Sequence, residues 1–100
     1  MNYFSAPGIL EEDKTKSLIV RICKEFRITE VQIKSNTKER EFVFPRQIAM
    51  YILHKKYKMN SVKVGSIFKR DHATVLYSCK AISGYMEFDK KFETTIKKLT

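Results

Sequence analysis

Apolar residues along this chain recur in the steps a helix makes. Leu18, Ile19, Ile22, Cys23 and Phe26 follow one another at spacings of one, three, one and three, which lines a single face of a 3.6-residue repeat. The pattern predicts a helix over 13–26. Glu11, Glu12 and Asp13 stand where a helix N-terminus favours negative charge. Pro7 and Gly8 make 1–12 an expected irregular arm. Thr29 suits the cap of a short second helix carrying Val31 and Ile33, although that stretch also alternates as a strand would. Ser35, Asn36 and Thr37 read as a turn. Pro45 fits a first helical position, where its missing N–H leaves nothing unpaired. The helix it opens runs to about 57, with Ile48, Ala49, Tyr51, Ile52 and Leu53 inward.

The second half repeats the same grammar with shorter pieces. Asn60 and Ser61 break the pattern, and Ser61 is expected to cap a short helix over 61–68. Lys69 and Arg70 form a tight turn. Asp71 then caps a helix to about 85 whose buried stripe is Val75, Leu76, Cys79 and Ile82, with Gly84 weakening its end. Asp89 caps a last helix with Phe92, Ile96 and Leu99 on one side. No convincing strand pair appears, so the expected fold is all-α, about six helices in one domain over 13–100. Two helices joined by so short a turn as 69–70 form a helix-turn-helix. Gly65 inside the first of them costs roughly 1 kcal/mol against Ala. That placement implies close approach of the second helix, expected near Ala73 and Thr74.

Charge changes the picture from fold to partner. Twenty Lys and Arg against eleven Asp and Glu leave +9 in 100 residues, which favours a polyanion. The excess is concentrated: 1–37 holds six basic and five acidic residues, 38–80 ten and three, 81–100 four and three. The middle is therefore where a phosphate backbone is expected to lie. Cys23 and Cys79 are far apart with no metal-ligand spacing, and read as small buried residues of a reducing compartment. No run is apolar enough to span a membrane, and the N-terminus has no secretory pattern, so the expected location is the cytoplasm. The basic patch of Lys55, Lys56 and Lys58 beside Tyr51 and Tyr57 does not argue for a membrane surface, because the apolar residues of that helix are needed in the core.

The chemistry gathers at the start of the 71–85 helix. In a helix-turn-helix the second helix enters the major groove by its N-terminal residues. Asp71 can cap the helix and accept from a cytosine amino group. His72 can exchange hydrogen bonds with a purine edge or a thymine oxygen. Ala73 and Thr74 offer methyl groups to thymine, and Thr74 also a hydroxyl to phosphate. Arg70 and Lys69, just outside, suit phosphate, as does Ser61 at the start of the preceding helix. Tyr77 and Lys80 lie further along the helix, toward the backbone or solvent. Asp71 beside His72 is not a catalytic relay, because neighbours on a helix point about 100° apart. No catalytic residue, metal ligand or cofactor is expected.

The stretches "FPRQIAMYILHKKY" and "SVKVGSIFKRDHATVLYSCKAI" closely resemble the C-terminal DNA-binding domain of the bacterial replication initiator DnaA. The signature reads here Arg70, Asp71, His72, Ala73, Thr74, Val75, Leu76, Tyr77, Ser78, Cys79, with Pro45 to Met50 as its upstream half, and the resemblance covers about 14–99. It implies a six-helix fold related to Trp-repressor-like helix-turn-helix proteins, and binding to a short A·T-rich duplex, the DnaA box. It implies base reading by Asp71, His72 and Ala73, with Thr74 and Arg70 at bases or backbone. Arg46 and Gln47 go to phosphate. The basic loop that reaches the adjacent minor groove is here "NTKERE", where Lys38 or Arg40 takes the family's arginine position. His54 stands in place of a phosphate-binding lysine, leaving that contact to Lys55. Lys69 stands where the family often has two glycines. The Gly-rich phosphate loop of the full initiator is absent, so the resemblance does not extend to ATP hydrolysis. A monomer on duplex DNA is expected. The alternative is a protein-interaction module that docks on a replication partner and has only non-specific DNA affinity.

Overall fold

The computed structural model describes residues 7–100, with side chains from Glu12 onward. Helix α1 runs Pro7–Phe26. It therefore begins well before the expected residue 13, and the part of the expected arm over 7–12 is helical; residues 1–6 lie outside the described residues. Proline tolerates a first helical position because it has no N–H to leave unpaired. The helix stops where Arg27 turns left-handed, with φ of 56°. The Ile28 N–H then bonds the Cys23 carbonyl at 3.0 Å, a closing pattern usually completed by glycine.

α2, Glu30–Ile33, is a helix and not a strand. Thr29 Oγ1 accepts from the Gln32 N–H at 3.1 Å, and Gln32 Oε1 accepts from the Thr29 N–H at 2.9 Å. This reciprocal capping box settles the ambiguity of the alternating pattern.

α3 spans Arg40–Tyr51 and continues into a π-helical turn, Ile52–Lys56. Pro45 lies inside α3 and does not open it. Its missing N–H removes only the bond to the carbonyl of Glu41, in the first turn. The start is set instead by Glu39 in an extended conformation, whose N–H donates to Thr37 Oγ1 at 3.1 Å. At the far end the Tyr57 N–H reaches the Ile52 carbonyl at 2.9 Å, Lys58 adopts φ of 61°, and His54 Nδ1 donates to the Met59 carbonyl at 2.8 Å. His54, which the resemblance set in place of a phosphate-binding lysine, thus closes a helix end.

α4, Ser61–Ile67, is capped by Asn60, whose Oδ1 accepts from the Val62 N–H at 2.7 Å. Ser61 is the first helical residue and not the cap. α5 runs His72–Phe88, straight through Gly84, and α6 runs Lys90–Leu99. Asp89 serves both: its N–H caps α5 and its carboxylate accepts from the Lys91 and Phe92 N–H groups at 3.0 and 3.1 Å.

The six helices enclose one core, built from Leu18, Ile22, Ile33, Ile48, Ile52, Leu53, Val64, Phe68, Val75, Ile82 and Ile96, all closed to solvent. α5 is its axis, packing on both α3 and α4. Leu76, expected inside, is 47% exposed, and Ser78 is buried in its place. The inward face of α5 passes through Val75, Ser78, Cys79 and Ile82, and Leu76 stands about 100° round from Val75. Among the described residues there is no strand.

Candidate nucleic-acid interface

The turn between α4 and α5 determines how the latter projects. The Lys69 N–H bonds the Ser66 carbonyl at 3.3 Å, and the Arg70 N–H bonds the Gly65 carbonyl at 2.8 Å. These are the paired bonds of a Schellman ending, and they require Lys69 to be left-handed, with φ of 57°. The same geometry explains Gly65. A Cβ there would collide with the Arg70 carbonyl oxygen and stand 3.3 Å from the Asp71 carbonyl carbon. The close approach is made by this backbone, one turn earlier than the expected contact near Ala73 and Thr74.

Beyond the turn, Asp71 caps α5. Its Oδ1 accepts both the Thr74 N–H at 2.9 Å and the Thr74 hydroxyl at 3.0 Å. These two donors hold the Asp71 carboxyl below the usual carboxylate range, the backbone N–H most strongly. Asp71, His72 and Ala73 are exposed, and Thr74 is half-buried. The end of α5 is thus a polar tip carrying a carboxylate, an imidazole and a methyl group.

An open groove of about 360 Å³ runs beside this tip, between the 36–38 turn, α3 and α5. It brings Lys38, Gln47, Lys69, Arg70, Thr74 and Tyr77 together. Lys38 and Lys69 are exposed on its rim, and Tyr77 is 68% exposed one turn behind Ala73.

Two expected phosphate ligands have other work. Arg46 is only 4% exposed. Its Nε donates to the Ile33 carbonyl at 2.7 Å and its Nη1 approaches the Thr37 carbonyl at 3.5 Å, while Nη2 is covered and makes no hydrogen bond to the protein. Burial, then the nearby Arg70 charge, pulls its pKa below the usual arginine value. Arg70 is half-buried, with Nη1 on the Phe68 carbonyl at 2.9 Å and Nη2 on the Ser35 carbonyl at 3.0 Å. Neither is a free surface cation.

Of the two candidates for the minor groove, the structure separates Arg40 from the tip. Its Nη2 donates to Tyr85 Oη at 3.0 Å, and its guanidinium lies over the Phe44 ring, 5.3 Å from the centroid. Tyr85 is fourteen residues beyond Asp71 on α5, a separation of about 20 Å. Lys38 is the candidate that lines the groove with Lys69 and Thr74, beside the tip. Lys55 is exposed on the π turn, away from that groove, in a shallow depression with Leu76, Cys79 and Lys80. Ser61, at the start of α4, is half-buried. The backbone carbonyls at 33, 35 and 37, which organise the groove wall, were not legible as functional groups. Every residue carries such an acceptor, so no residue type announces it.

Among the described residues no group of His, Cys, Asp and Glu is placed to hold a metal ion, and no helix is long and apolar enough to cross a membrane. Cys23 and Cys79 are buried free thiols, and burial raises both pKa values, so neither is set up as a nucleophile.

A family model described as the bacterial dnaA protein helix-turn-helix matches residues 15–82. The chain is 37% identical over 79 residues to the chromosomal replication initiator protein DnaA of Bacteroides thetaiotaomicron, covering 78% of this chain and 17% of that protein. It is 39% identical over 74 residues to chromosomal replication initiator protein DnaA 2 of Chlamydia caviae, covering 73% and 16%. It is 34% identical over 82 residues to the DnaA protein of Mycoplasma pneumoniae, covering 82% and 19%. The chain thus spans less than a fifth of the length of these curated relatives.

Proposed function

The chain belongs to the bacterial DnaA helix-turn-helix family, and from that premise we propose that it binds duplex DNA at DnaA-box-like sites, in replication initiation or its control. The observation that carries this reading is the exposed tip of α5, Asp71 to Ala73, beside a groove rimmed by Lys38 and Lys69. A helix about 10 Å across fits the major groove. In this reading the tip enters it end-on.

The residues divide the work by chemistry. Asp71 accepts from a cytosine amino group with the carboxylate that also caps the helix. His72 reads a purine edge or thymine oxygen, and the Ala73 methyl group contacts a thymine methyl. Thr74 already donates its hydroxyl to Asp71, so it approaches DNA through its methyl group or as an acceptor. Lys69, Ser61, Lys55 and the Gln47 amide grip phosphates, which fix register without reading sequence. Lys38 enters the neighbouring minor groove, where a narrow A·T tract concentrates negative potential. One copy acts on each site, and no catalytic step is involved.

Competition in a mobility-shift assay tests this. A labelled DnaA-box duplex should be displaced by unlabelled box duplex at far lower concentration than by a scrambled duplex of equal composition. Equal displacement by both contradicts sequence-specific binding and favours a module that docks on a replication protein. Selection of bound duplexes from a random pool would then give the preferred site directly.

A further inference from the structure

We infer that Arg70 is a positioning residue: its guanidinium ties the 35–38 turn to the end of α4 and so sets where Lys38 lies relative to the tip of α5. The inference rests on the DNA-reading role proposed above for Lys38 and the tip.

The fork of Arg70 bridges two segments. Nη1 holds the Phe68 carbonyl at the end of α4, at 2.9 Å, and Nη2 holds the Ser35 carbonyl at 3.0 Å, from 35 residues earlier in the chain. From the other side, Arg46 reaches the carbonyls of Ile33 and Thr37. Two guanidinium groups therefore take three alternate carbonyls, at 33, 35 and 37, and pin that strip of backbone between α3 and the α4–α5 turn. Other bonds of the turn are local: Ser35 N–H and Oγ to the Gln32 carbonyl, the Thr37 hydroxyl to Glu39 Oε1, and the Glu39 N–H to Thr37 Oγ1. Asn36, Lys38 and Glu39 are exposed, so packing does little to hold this segment.

Position matters here because the reach is divided between two grooves. The tip is rigid, being the capped end of a 17-residue helix. Lys38 has a flexible four-carbon stem, and its useful reach depends on where its backbone sits. A backbone fixed in advance lowers the ordering cost on binding. Lysine cannot replace arginine in this task, since a point charge has no planar fork to span two carbonyls. Phosphate binding needs only charge, and lysine supplies that.

The experiment compares wild type, Arg70→Lys, Lys38→Ala and the double variant. Each is checked for folding by circular dichroism and measured on three duplexes: the preferred site, the site with its A·T flank changed to G·C, and random DNA. Arg70→Lys should lose discrimination against the G·C flank, on the order of tenfold, and keep its affinity for random DNA. The double variant should lose no more than Lys38→Ala alone, because coupled residues are non-additive. Additive losses, or an equal loss on all three duplexes, would overturn the proposal. Asn36→Gly loosens the same turn and touches neither arginine. It should show the same flank-selective loss, which keeps the test valid if Arg70→Lys fails to fold. Without DNA, backbone 15N relaxation judges the clasp itself. The order parameters of 36–38 should fall from about 0.85 toward 0.6 in Arg70→Lys, and unchanged values would refute it. A wild-type protein with no preference for the site sinks the reading of the groove, and the coupling with it, even where relaxation upholds the clasp.

Discussion

Single residues in this protein carry conformations that their side chains do not favour, for reasons the turn geometry supplies. Lys69 is left-handed at φ of 57°, a conformation that disfavours L-residues by roughly 1–2 kcal/mol. Lys69→Gly removes that penalty at the expense of unfolded-state entropy, so thermal unfolding should show a gain of about 1 kcal/mol or less. The same variant should bind all duplexes more weakly, because a rim cation is lost. Asp71 gives a second residue-scale expectation. Its folded pKa is depressed by the Thr74 donors, so its charge contributes to stability in full above the unfolded carboxylate pKa, near 4. That contribution is lost as pH falls through the lower folded value. Asp71→Asn keeps a capping oxygen but has no titration. The difference in melting temperature between the two proteins, present at pH 6, should therefore shrink as the pH is lowered below 4.

At the scale of elements, two glycines on consecutive helices make opposite predictions. In α4, a Cβ at Gly65 meets the Arg70 and Asp71 backbone, which cannot move without shifting α5. Gly65→Ala should destabilise by about 1–3 kcal/mol, the range for overpacking. In α5, a Cβ at Gly84 meets nothing within 4 Å. Gly84→Ala should stabilise by about 0.5–1 kcal/mol. Chemical denaturation of both variants checks the pair, and a destabilised Gly84→Ala would contradict the continuous helix. Element boundaries also show what the sequence could and could not convey. Caps at Thr29, Asp71 and Asp89 were legible because their side chains do the capping. The start of α3 was not, since Pro45 suits a helix opening and five further helical residues precede it. Leu76 was misassigned for a related reason. Hydropathy prefers leucine to serine for a core position, but the face of α5 passes through Ser78.

For the whole molecule, charge is the quantity that matters. Ten of its twenty cations fall in 38–80, yet position divides them into different roles. Arg46 is buried and Arg70 half-buried, both bonded to carbonyls, while Arg40 stacks on aromatic rings. Among the expected contacts Lys38, Arg40, Lys55 and Lys69 are exposed, but Arg40 is held against Tyr85 and Phe44. The helix-turn-helix and its tip could thus be read from periodicity and motif. The division between exposed cations and those bonded to backbone carbonyls could not, because it depends on carbonyls contributed by distant segments. The log of affinity should fall against log salt with a slope near −0.9 for each phosphate neutralised, about −2 for the two phosphate-gripping lysines, Lys55 and Lys69. Lys69→Ala should flatten it by about 0.9, and Arg40→Ala should leave it unchanged. An Arg40 effect equal to that of Lys69 would show that the charge acts diffusely.

The tip of α5 is the element on which the account turns, and His72 is its exposed imidazole. The most direct measurement is the affinity of His72→Ala for the preferred duplex and for random DNA at one fixed salt concentration. A loss of roughly 1–3 kcal/mol on the preferred site with little change on random DNA is the predicted result. Equal losses on both, or none on either, would mean that this helix does not read bases.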